Sequence, residues 1–335
     1  MKRIFTLLFA VLTATTIMAQ MHGPMKFVGA SNMTVSTMSN DNPSDTILFA
    51  MNGMESGNIT LPAMKGMQTI PSFTISGAKF TLGENHVVTF ADQAFSAKVT
   101  VDGAEKKITG TSLSGTYNMA DNSLMLTVVF QYGKMPFPMT YTVKGYYVKA
   151  VSNPIVVTVG GQFTYNNDNV TYELRRYKVG ETDKLDVAVP SYTLANTIMG
   201  DLTLGSYTVK GLVYDEAQGG YYRDYKNDGL KFHFTAVQNG KTTMDKDYDF
   251  ASEKDNNILV KYEGNNVSSI VNTFQVGAMP FGIVSVFSAP ATSINNITTT
   301  PQHHNTSAQY NLAGQRVDNN YKGIVIVNGK KYLRK

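Results

Sequence analysis

An eight-residue stretch that occurs twice indicates how this chain folds. Residues 130–137 read FQYGKMPF and residues 274–281 read FQVGAMPF, which is identity at six of eight positions with a displacement of 144. Proline fixes φ and favours an extended residue before it, so each copy predicts a corner between two strands. The corner residues are Gly133, Met135, Pro136 and Phe137, and then Gly277, Met279, Pro280 and Phe281. A duplicated corner predicts a duplicated domain.

A second repeated landmark supports the duplication and locates an insertion. Residues 70–74 read IPSFT and residues 189–193 read VPSYT, and each is followed by a Leu-Gly pair, at 82–83 and at 204–205. The displacement grows from 119 to 122 and then to 144, so most of the inserted residues lie between 205 and 274. Within this interval the run GGYYRDY at 219–225 predicts an enlarged hairpin or loop.

Composition favours strands and excludes several function classes. The 335 residues include 19 Tyr and 17 Phe, with 42% hydrophobic and 16% charged residues. This mix suits a buried core built from β-strands. The net charge of +4 comes without a basic run, so we predict no nucleic-acid partner.

Local patterns place strands and turns but no persuasive helix. Met139, Tyr141, Val143 and Tyr147 alternate with polar residues, a period of two that predicts a half-buried antiparallel strand. Asp102-Gly103 predicts a type I′ hairpin, and residues 40–43, which read NDNP, predict a turn.

The N-terminus predicts export. Lys2 and Arg3 precede an apolar stretch at 4–18, and Ala19 suits a cleavage site, so residues 1–20 are predicted to be a signal peptide. No other stretch reaches the roughly 18 apolar residues of a membrane helix. The chain has no Cys, which excludes disulfides and a lipid-anchored cysteine. We therefore expect the export machinery as a partner, and a location in the periplasm, on the outer cell surface or outside the cell.

The C-terminus predicts a short appended element. Residues 290–309 are rich in Thr, Asn, Ser and Gln and indicate a linker. Residues 310–335 predict a strand, a turn, a strand, an Asn-Gly hairpin and a strand. Three strands of this length are marginal alone, so a tag is favoured over a third domain.

These landmarks resemble the calycin-like family of secreted bacterial β-barrel proteins. The resemblance implies an all-β fold with two tandem antiparallel up-and-down barrels, at 21–150 and 151–289, of the lipocalin-like type. It also implies that each barrel can hold one small apolar ligand in its mouth. The family supplies no catalytic motif. The tail resembles the C-terminal sorting domain of the type IX secretion pathway, through YNLAGQRV at 310–317 and GIVIVNGK at 323–330.

Candidate catalytic and metal-binding residues have simpler structural interpretations. The chain has no nucleophile elbow, zinc-protease motif or phosphate loop. Of the five His, His86 and His233 fall within the predicted barrels, where we interpret them as strand or loop residues. The pairs Met51/Met54 and Met64/Met67 could bind Cu(I), and the segment Gln20-Met21-His22 could bind Cu(II) once cleavage exposes it. Packing or pocket lining is the favoured role of these methionines.

A third metal candidate is the run DKDYD at 245–249, which resembles the start of a calcium loop. It has Phe250 where glycine is needed and Asn256 where an acidic ligand is needed. A solvated strand face is the favoured interpretation. We therefore predict no catalytic, metal or cofactor residues.

Function is predicted to be binding. One hypothesis is an exported, non-catalytic protein that holds a small apolar ligand, with the Met- and Phe-rich first unit suited to a flexible lipid-like molecule. The alternative is a surface module that binds glycan or protein through its loops. For that role the candidates are Tyr221, Tyr222 and Tyr225, because exposed tyrosines beside charges suit carbohydrate stacking or protein interfaces. The structural alternative is that these rings cover a barrel end.

Overall fold

The structure is a computed structural model that describes residues 23–65, 69–83, 86–277 and 279–288, and the backbone of four strands within 309–334. Every regular element in this part of the chain is a β-strand, and every pairing is antiparallel, so the predicted all-β antiparallel class is confirmed. No helix in the described part is long and apolar enough to span a bilayer. Residues 1–22, which contain the predicted signal peptide, lie outside the described residues.

The strands fall into three groups along the chain. The first group is β1 (Met25–Val35), β2 (Met38–Met51), β3 (Ser56–Leu61), β4 (Met64–Lys65), β5 (Thr69–Ile70), β6 (Phe73–Lys79), β7 (Thr81–Leu82), β8 (Val87–Val101), β9 (Ala104–Asn118), β10 (Ser123–Tyr132) and β11 (Met139–Val159). The second is β12 (Phe163–Val179), β13 (Thr182–Val189), β14 (Tyr192–Thr197), β15 (Gly200–Leu204), β16 (Tyr207–Asp215), β17 (Gly220–Asp224), β18 (Lys231–Gln238), β19 (Lys241–Asp249), β20 (Asn257–Glu263), β21 (Asn266–Phe274) and β22 (Ile283–Ser288). The tail holds β23 (Gln309–Tyr310), β24 (Arg316–Val317), β25 (Gly323–Val327) and β26 (Lys330–Arg334).

The strands of the first group form an N-terminal module, to which β11 contributes its N-terminal half. The sheet of this module returns on itself. Its strands follow the order β6-β3-β2-β1-β11-β10-β9-β8-β7. β6 and β7 are consecutive segments, and β6 pairs with β3 while β7 pairs with β8. Across the remaining seam, Lys79 N donates to Gln93 Oε1 at 2.8 Å and Gln93 Nε2 donates to Lys79 O at 2.7 Å. One side-chain amide thus replaces a pair of ladder hydrogen bonds.

Seven strands of the second group and the C-terminal part of β11 form a C-terminal barrel that closes completely. Starting from β11, its strands follow the order β12-β13-β16-β17-β20-β21-β22 and return to β11. β11 pairs with β12 on one side and with β22 on the other, so the circuit of eight strands has no open edge. The barrel interior is a separate core that begins at Ile155 and ends at Phe287.

One strand belongs to both circuits. The N-terminal part of β11 pairs with β1 and β10, whereas its C-terminal part pairs with β12 and β22. The predicted domain boundary at 150 therefore falls within a continuous 21-residue strand. The two cores are separate along it, because the first ends at Val143 and the second begins at Ile155.

A row of residues crosses from one module to the other through this strand. Register pairs Lys26 with Val148, Val148 with Arg175 and Arg175 with Asp186, on β1, β11, β12 and β13. Arg175 binds Asp186 Oδ2 through Nη2 at 2.5 Å and donates from Nη1 to Val28 O at 3.1 Å. Asp186 is 4% exposed. It also accepts hydrogen bonds from Tyr177 Oη at 3.0 Å and from the Gly211 backbone N–H at 2.8 Å.

The insertion in the second half of the chain adds two strands, β18 and β19, to a small sheet. Strands β14, β15, β18 and β19 pair in that order, apart from the barrel circuit. Most of the added length is the β18–β19 hairpin, which follows the predicted position at 219–225. Residues 220–224 themselves form β17, a strand of the barrel wall.

The two repeated corners have the same hydrogen-bond pattern. Each joins the last two strands of its circuit, β10 to β11 and β21 to β22. Gln131 Nε2 donates to Met135 O and Gln275 Nε2 donates to Met279 O, both at 2.5 Å. The central glycine has φ of 60° at position 133 and 43° at position 277, the left-handed region that favours glycine. Pro136 and Phe137, like Pro280 and Phe281, follow before the last strand begins, and both of these phenylalanines are about half exposed.

Two turn predictions have opposite outcomes. Asp102 and Gly103 connect β8 to β9 with φ of 50° and 76°, which agrees with the predicted type I′ hairpin. The predicted turn at 40–43 is wrong, because these residues lie within β2. Pro43 and Ser44 there stand opposite the single residue Ala30, which makes a β-bulge. A bulge tolerates proline, which has no backbone N–H, because the bulged position donates no hydrogen bond to the neighbouring strand.

The tail forms a compact unit separate from residues up to 289. Its four strands pair in the order β24-β23-β25-β26. Val327 pairs with Lys330, so β25 and β26 are joined by the two residues 328–329, where the sequence predicted an Asn-Gly hairpin. The predicted linker at 290–309 lies almost wholly outside the described residues.

Candidate functional site

A buried polar cluster lies in the N-terminal module where β1, β2 and β11 meet. Its centre is Asp45, which is 7% exposed. Asp45 Oδ2 accepts hydrogen bonds from Ser31 Oγ at 2.5 Å and from Tyr141 Oη at 2.9 Å. Asp45 Oδ1 accepts one from Asn42 Nδ2 at 2.6 Å. Three neutral donors from three strand segments therefore fix the orientation of one carboxylate.

The cluster lines a pocket of about 300 Å³. Met33, Ala63 and Met64 form its apolar side. Asp41 and Lys65 add one charge of each sign to the lining, so together with Asp45 the net charge of the lining is negative. Met64 and Lys65 come from β4, which pairs with β5 as a two-stranded hairpin.

The β4–β5 hairpin is tied to the pocket edge by Asn40. Its side-chain Nδ2 donates to the backbone carbonyl of Lys65 at 2.5 Å. This contact joins β2 to β4 across 25 residues of chain. The hairpin and the first residues of β2 thus lie side by side at the edge of the pocket that contains Asp45.

Burial keeps the Tyr141 side chain neutral. Removal from water raises the pKa of the Tyr141 phenol, and the nearby Ser31 hydroxyl opposes that rise. The neighbouring Asp45 carboxylate raises the pKa of Tyr141 further, since a second negative charge beside it is unfavourable. Tyr141 therefore acts as a permanent hydrogen-bond donor to Asp45.

Sequence reasoning placed Tyr141 correctly and missed Asp45. Tyr141 faces the interior with Met139 and Val143, as the alternation predicted. Asp45 is likewise in phase with Ile47 and Phe49, which are both buried. The available signal was a carboxylate at an inward-facing position of an alternating strand. The NDNP run before Asp45 predicted a turn and so hid the alternation with Ile47 and Phe49.

The predicted loop of exposed tyrosines is wrong at two of its three residues. Tyr221 on β17 is 5% exposed and Tyr225, directly after β17, is 1% exposed, because both rings pack in the barrel core. Tyr222 is half-buried on the opposite side of the strand. Buried rings cannot stack on a sugar, so Tyr221 and Tyr225 serve packing, as the structural alternative anticipated.

Tyr225 belongs to a hydrogen-bonded triangle inside the C-terminal barrel. Tyr225 Oη donates to Asn272 Oδ1 at 2.8 Å, and Asn272 Nδ2 donates to Tyr207 Oη at 2.7 Å. The Tyr207 and Tyr225 hydroxyls are 3.3 Å apart and close the triangle. The rings of Tyr207 and Tyr225 also contact Phe250, and Tyr207 further contacts Phe232 and Phe274. Polar and aromatic side chains therefore fill this part of the barrel.

The exposed face of the small sheet holds His233 between two carboxylates. His233 Nδ1 lies 2.9 Å from Asp247 Oδ1, and Nε2 lies 3.0 Å from Asp245 Oδ1. Residues 245–249 lie on the exposed strand β19, in agreement with the favoured strand-face interpretation. His86 lies in a bend between β7 and β8 with a left-handed φ of 59°.

His233 predicts a pH-dependent contribution to stability. The hydrogen bond to Asp247, with the nearby Asp245 charge, raises the pKa of His233 above its usual 6.5. The folded state then favours the protonated ring, so the contribution is complete below pH 6.5 and is lost as pH rises through the raised pKa. NMR titration should give a His233 pKa above 6.5, and Asp247→Asn should lower it. Asp249→Asn, whose carboxylate pairs with Lys231 instead, is the matched control.

The copper candidates are not assembled in the described residues. Met51 is partly buried and Met54 is exposed, whereas Met64 is buried in the pocket wall. Met67, Gln20, Met21 and His22 lie outside the described residues. The described part of the chain contains no group of three or more His, Asp or Glu side chains arranged for a metal ion.

Comparison with known proteins supports the fold of the first module. No curated protein shows significant similarity to the chain. One solved crystal structure, of a Bacteroides fragilis NCTC 9343 protein provisionally assigned to the outer membrane, aligns with 78% of this chain and 94% of its own at 14% identity. Its TM-score of 0.25 does not support a shared fold. Residues 26–146, which run from β1 into β11 and contain Asp45 with its partners, match the family model of the calycin-like β-barrel domain.

Proposed function

We propose that this protein is an exported, non-catalytic binding protein whose ligand occupies the Asp45 pocket. The observation that carries the proposal is a buried carboxylate with neutral donors at the wall of an open cavity. No Lys, Arg or His forms an ion pair with Asp45 among the described residues. The three neutral donors offset part of the cost of burying this charge, which for an ion without any partner is on the order of several kcal/mol. A ligand that brings a cationic or strongly donating group would offset the remainder.

The pocket also limits the size and the rest of the ligand. A volume of about 300 Å³ is at the small end of ligand sites. Met33 and Met64 offer a flexible apolar wall, which suits an aliphatic portion of the ligand. The proposed ligand is therefore a small amphipathic molecule with a protonated amine. This modifies the predicted apolar ligand by adding the group that Asp45 would recognise.

The site lies in the part of the chain that matches a calycin-like barrel, a fold that can hold one small ligand. Binding without catalysis agrees with that architecture. Export rests on the predicted signal in residues 1–20, and N-terminal sequencing of the mature protein checks it. The tail sheet at 309–334 is proposed to serve that export as a sorting element.

Matched probes test the ligand assignment. We expect hexylamine to bind and to raise the melting temperature, while hexanol and hexanoate of the same chain length bind more weakly. Asp45→Asn should weaken hexylamine binding about 10–100-fold, since a hydrogen bond to a charged group contributes roughly 1.5–3 kcal/mol. Isothermal titration calorimetry measures both effects.

Asp41→Asn provides the control, because Asp41 lies on the same pocket lining but is exposed. It should change the affinity less than Asp45→Asn does. Equal binding of the amine and the alcohol, or unchanged amine binding to Asp45→Asn, would refute the proposal. Native mass spectrometry of protein purified without detergent should identify the natural ligand.

A further inference from the structure

A groove of about 420 Å³ is lined by residues of both modules. Its lining comes from β1 and β2 of the first module, from β12, β13 and β16 of the second, and from the shared strand β11. None of these lining residues belongs to the Asp45 pocket. Ligand sites occur preferentially at junctions between domains, and this volume falls within their usual range. The inter-module groove is therefore a second candidate site.

Short side chains separate the charged residues of the inter-module groove. Val148 lies between Lys26 and Arg175 in one row of paired strands. In the next row, two residues along β12, Glu173 is paired with Ala188. A valine and an alanine between long charged side chains leave room for a small guest beside the charged groups.

Both carboxylates of the inter-module groove are already occupied. Lys26 Nζ donates to both oxygens of Glu173, each at 2.8 Å. Asp186 accepts hydrogen bonds from Arg175 on Oδ2 and from two further donors on Oδ1. A cationic guest would therefore have to displace a bonded donor to reach either carboxylate.

The polar groups that remain free can all donate hydrogen bonds. Lys210 is exposed on β16 and forms no ion pair with any described residue. The hydroxyls of Ser44, Thr46 and Thr208 have no hydrogen-bond partner in the described part of the chain. Three cationic and two acidic side chains give the lining a net charge of +1. Because the other charges form ion pairs, the ammonium of Lys210 is the uncompensated one.

We propose that the inter-module groove binds the anionic oxygens of a small ligand, as a carboxylate or a phosphate carries them. Lys210 supplies the opposite charge, and hydrogen bonds to such an ion are stronger than those between neutral groups. The hydroxyls of Thr46 and Thr208 belong to different modules and can each donate to the same guest. A guest held from both sides should stabilise the two modules together. The site is separate from the amine pocket, because Thr46 and Asp45 point to opposite faces of β2.

Anion titration of the full chain tests the proposal. At constant ionic strength, with chloride exchanged for the probe, inorganic phosphate or acetate should bind and raise the melting temperature. Lys210→Ala should weaken this binding roughly 5–20-fold, because it removes the uncompensated charge. Lys261→Ala is the matched control, since Lys261 is an exposed lysine of β20 outside the groove lining and forms no ion pair with any described residue. It should leave the affinity unchanged.

NMR locates the bound anion. The backbone amide signals of Thr46 and Thr208 should both shift on titration with the anion, because the guest contacts both modules. Tighter binding of phosphate would assign a phosphorylated ligand, and tighter binding of acetate a carboxylate. Equal affinities of the wild type and Lys210→Ala, or equal losses in Lys210→Ala and Lys261→Ala, would overturn the proposal. Shifts confined to one module would overturn it as well.

Discussion

Replacement of Asp186 by Ala is expected to destabilise residues 23–288 by roughly 3–5 kcal/mol, the cost of leaving a buried ion pair without one partner. Asp186 receives four hydrogen bonds, two of them from Arg175. Without the carboxylate, Arg175, Tyr177 and the Gly211 N–H lose a shared acceptor. Urea denaturation measures the loss as a fall in the midpoint at an unchanged slope.

Asp183→Ala is the matched control on the same strand. Asp183 pairs with Arg176 at 3.1 Å, but both side chains are substantially exposed. Exposed pairs contribute about 0–1 kcal/mol, so this variant should remain close to the wild type. Equal losses for the two variants would mean that burial of the Arg175–Asp186 pair has no special effect. If Asp186→Ala also breaks the 2.8 Å ion pair between Lys26 of the first module and Glu173 of β12, the Arg175–Asp186 pair also holds the two modules together.

Gly29→Ala is expected to cost about 3 kcal/mol or more, because β1 and β11 approach too closely for a side chain at that position. A Cβ on Gly29 would overlap the Lys144 carbonyl oxygen and lie 2.5 Å from Gly145 Cα. Both obstacles are backbone atoms, so relief requires the strands to separate. Gly29 also flanks the bulge that positions Ser31 and Asp45, so ligand binding should fall together with stability.

Gly282→Ala controls for the loss of glycine itself. Its nearest neighbour to an added Cβ is the Phe274 carbonyl oxygen at 4.0 Å, which is ordinary contact. We expect a change within about 0.5 kcal/mol in thermal and urea unfolding. A Gly29→Ala protein as stable as Gly282→Ala would show that β1 and β11 can separate without loss of pairing.

Features with a local physical cause could be predicted from the sequence. The corners follow from glycine at positive φ and from proline, and the hairpin at Asp102 follows from the preference of Asp-Gly for positive φ. Alternation placed Met139, Tyr141 and Val143 inside because side chains in a strand point to opposite faces. The all-β class is confirmed for the same reason, since it depends on many such local patterns.

Features that depend on which strands meet could not be predicted in the same way. Whether Tyr221 and Tyr225 are exposed depends on the partners of β17, and those partners, β16 and β20, are separated from each other by the β18–β19 hairpin. A run of tyrosines and charges suits an exposed loop and a barrel wall equally well. The pairing of β17 with β16 and β20 makes this run part of the barrel wall.

The polar cluster is the clearest example of this division. The sequence alone determined that Met139, Tyr141 and Val143 share one face of a strand, because a strand has a period of two. Only the tertiary structure decided that Tyr141 and Ser31 meet at Asp45, since hydrogen bonds across 14 and 96 residues depend on strand register. It also decided that β11 serves both circuits, because strand pairing is a contact between distant segments and leaves no mark in the local pattern of either one.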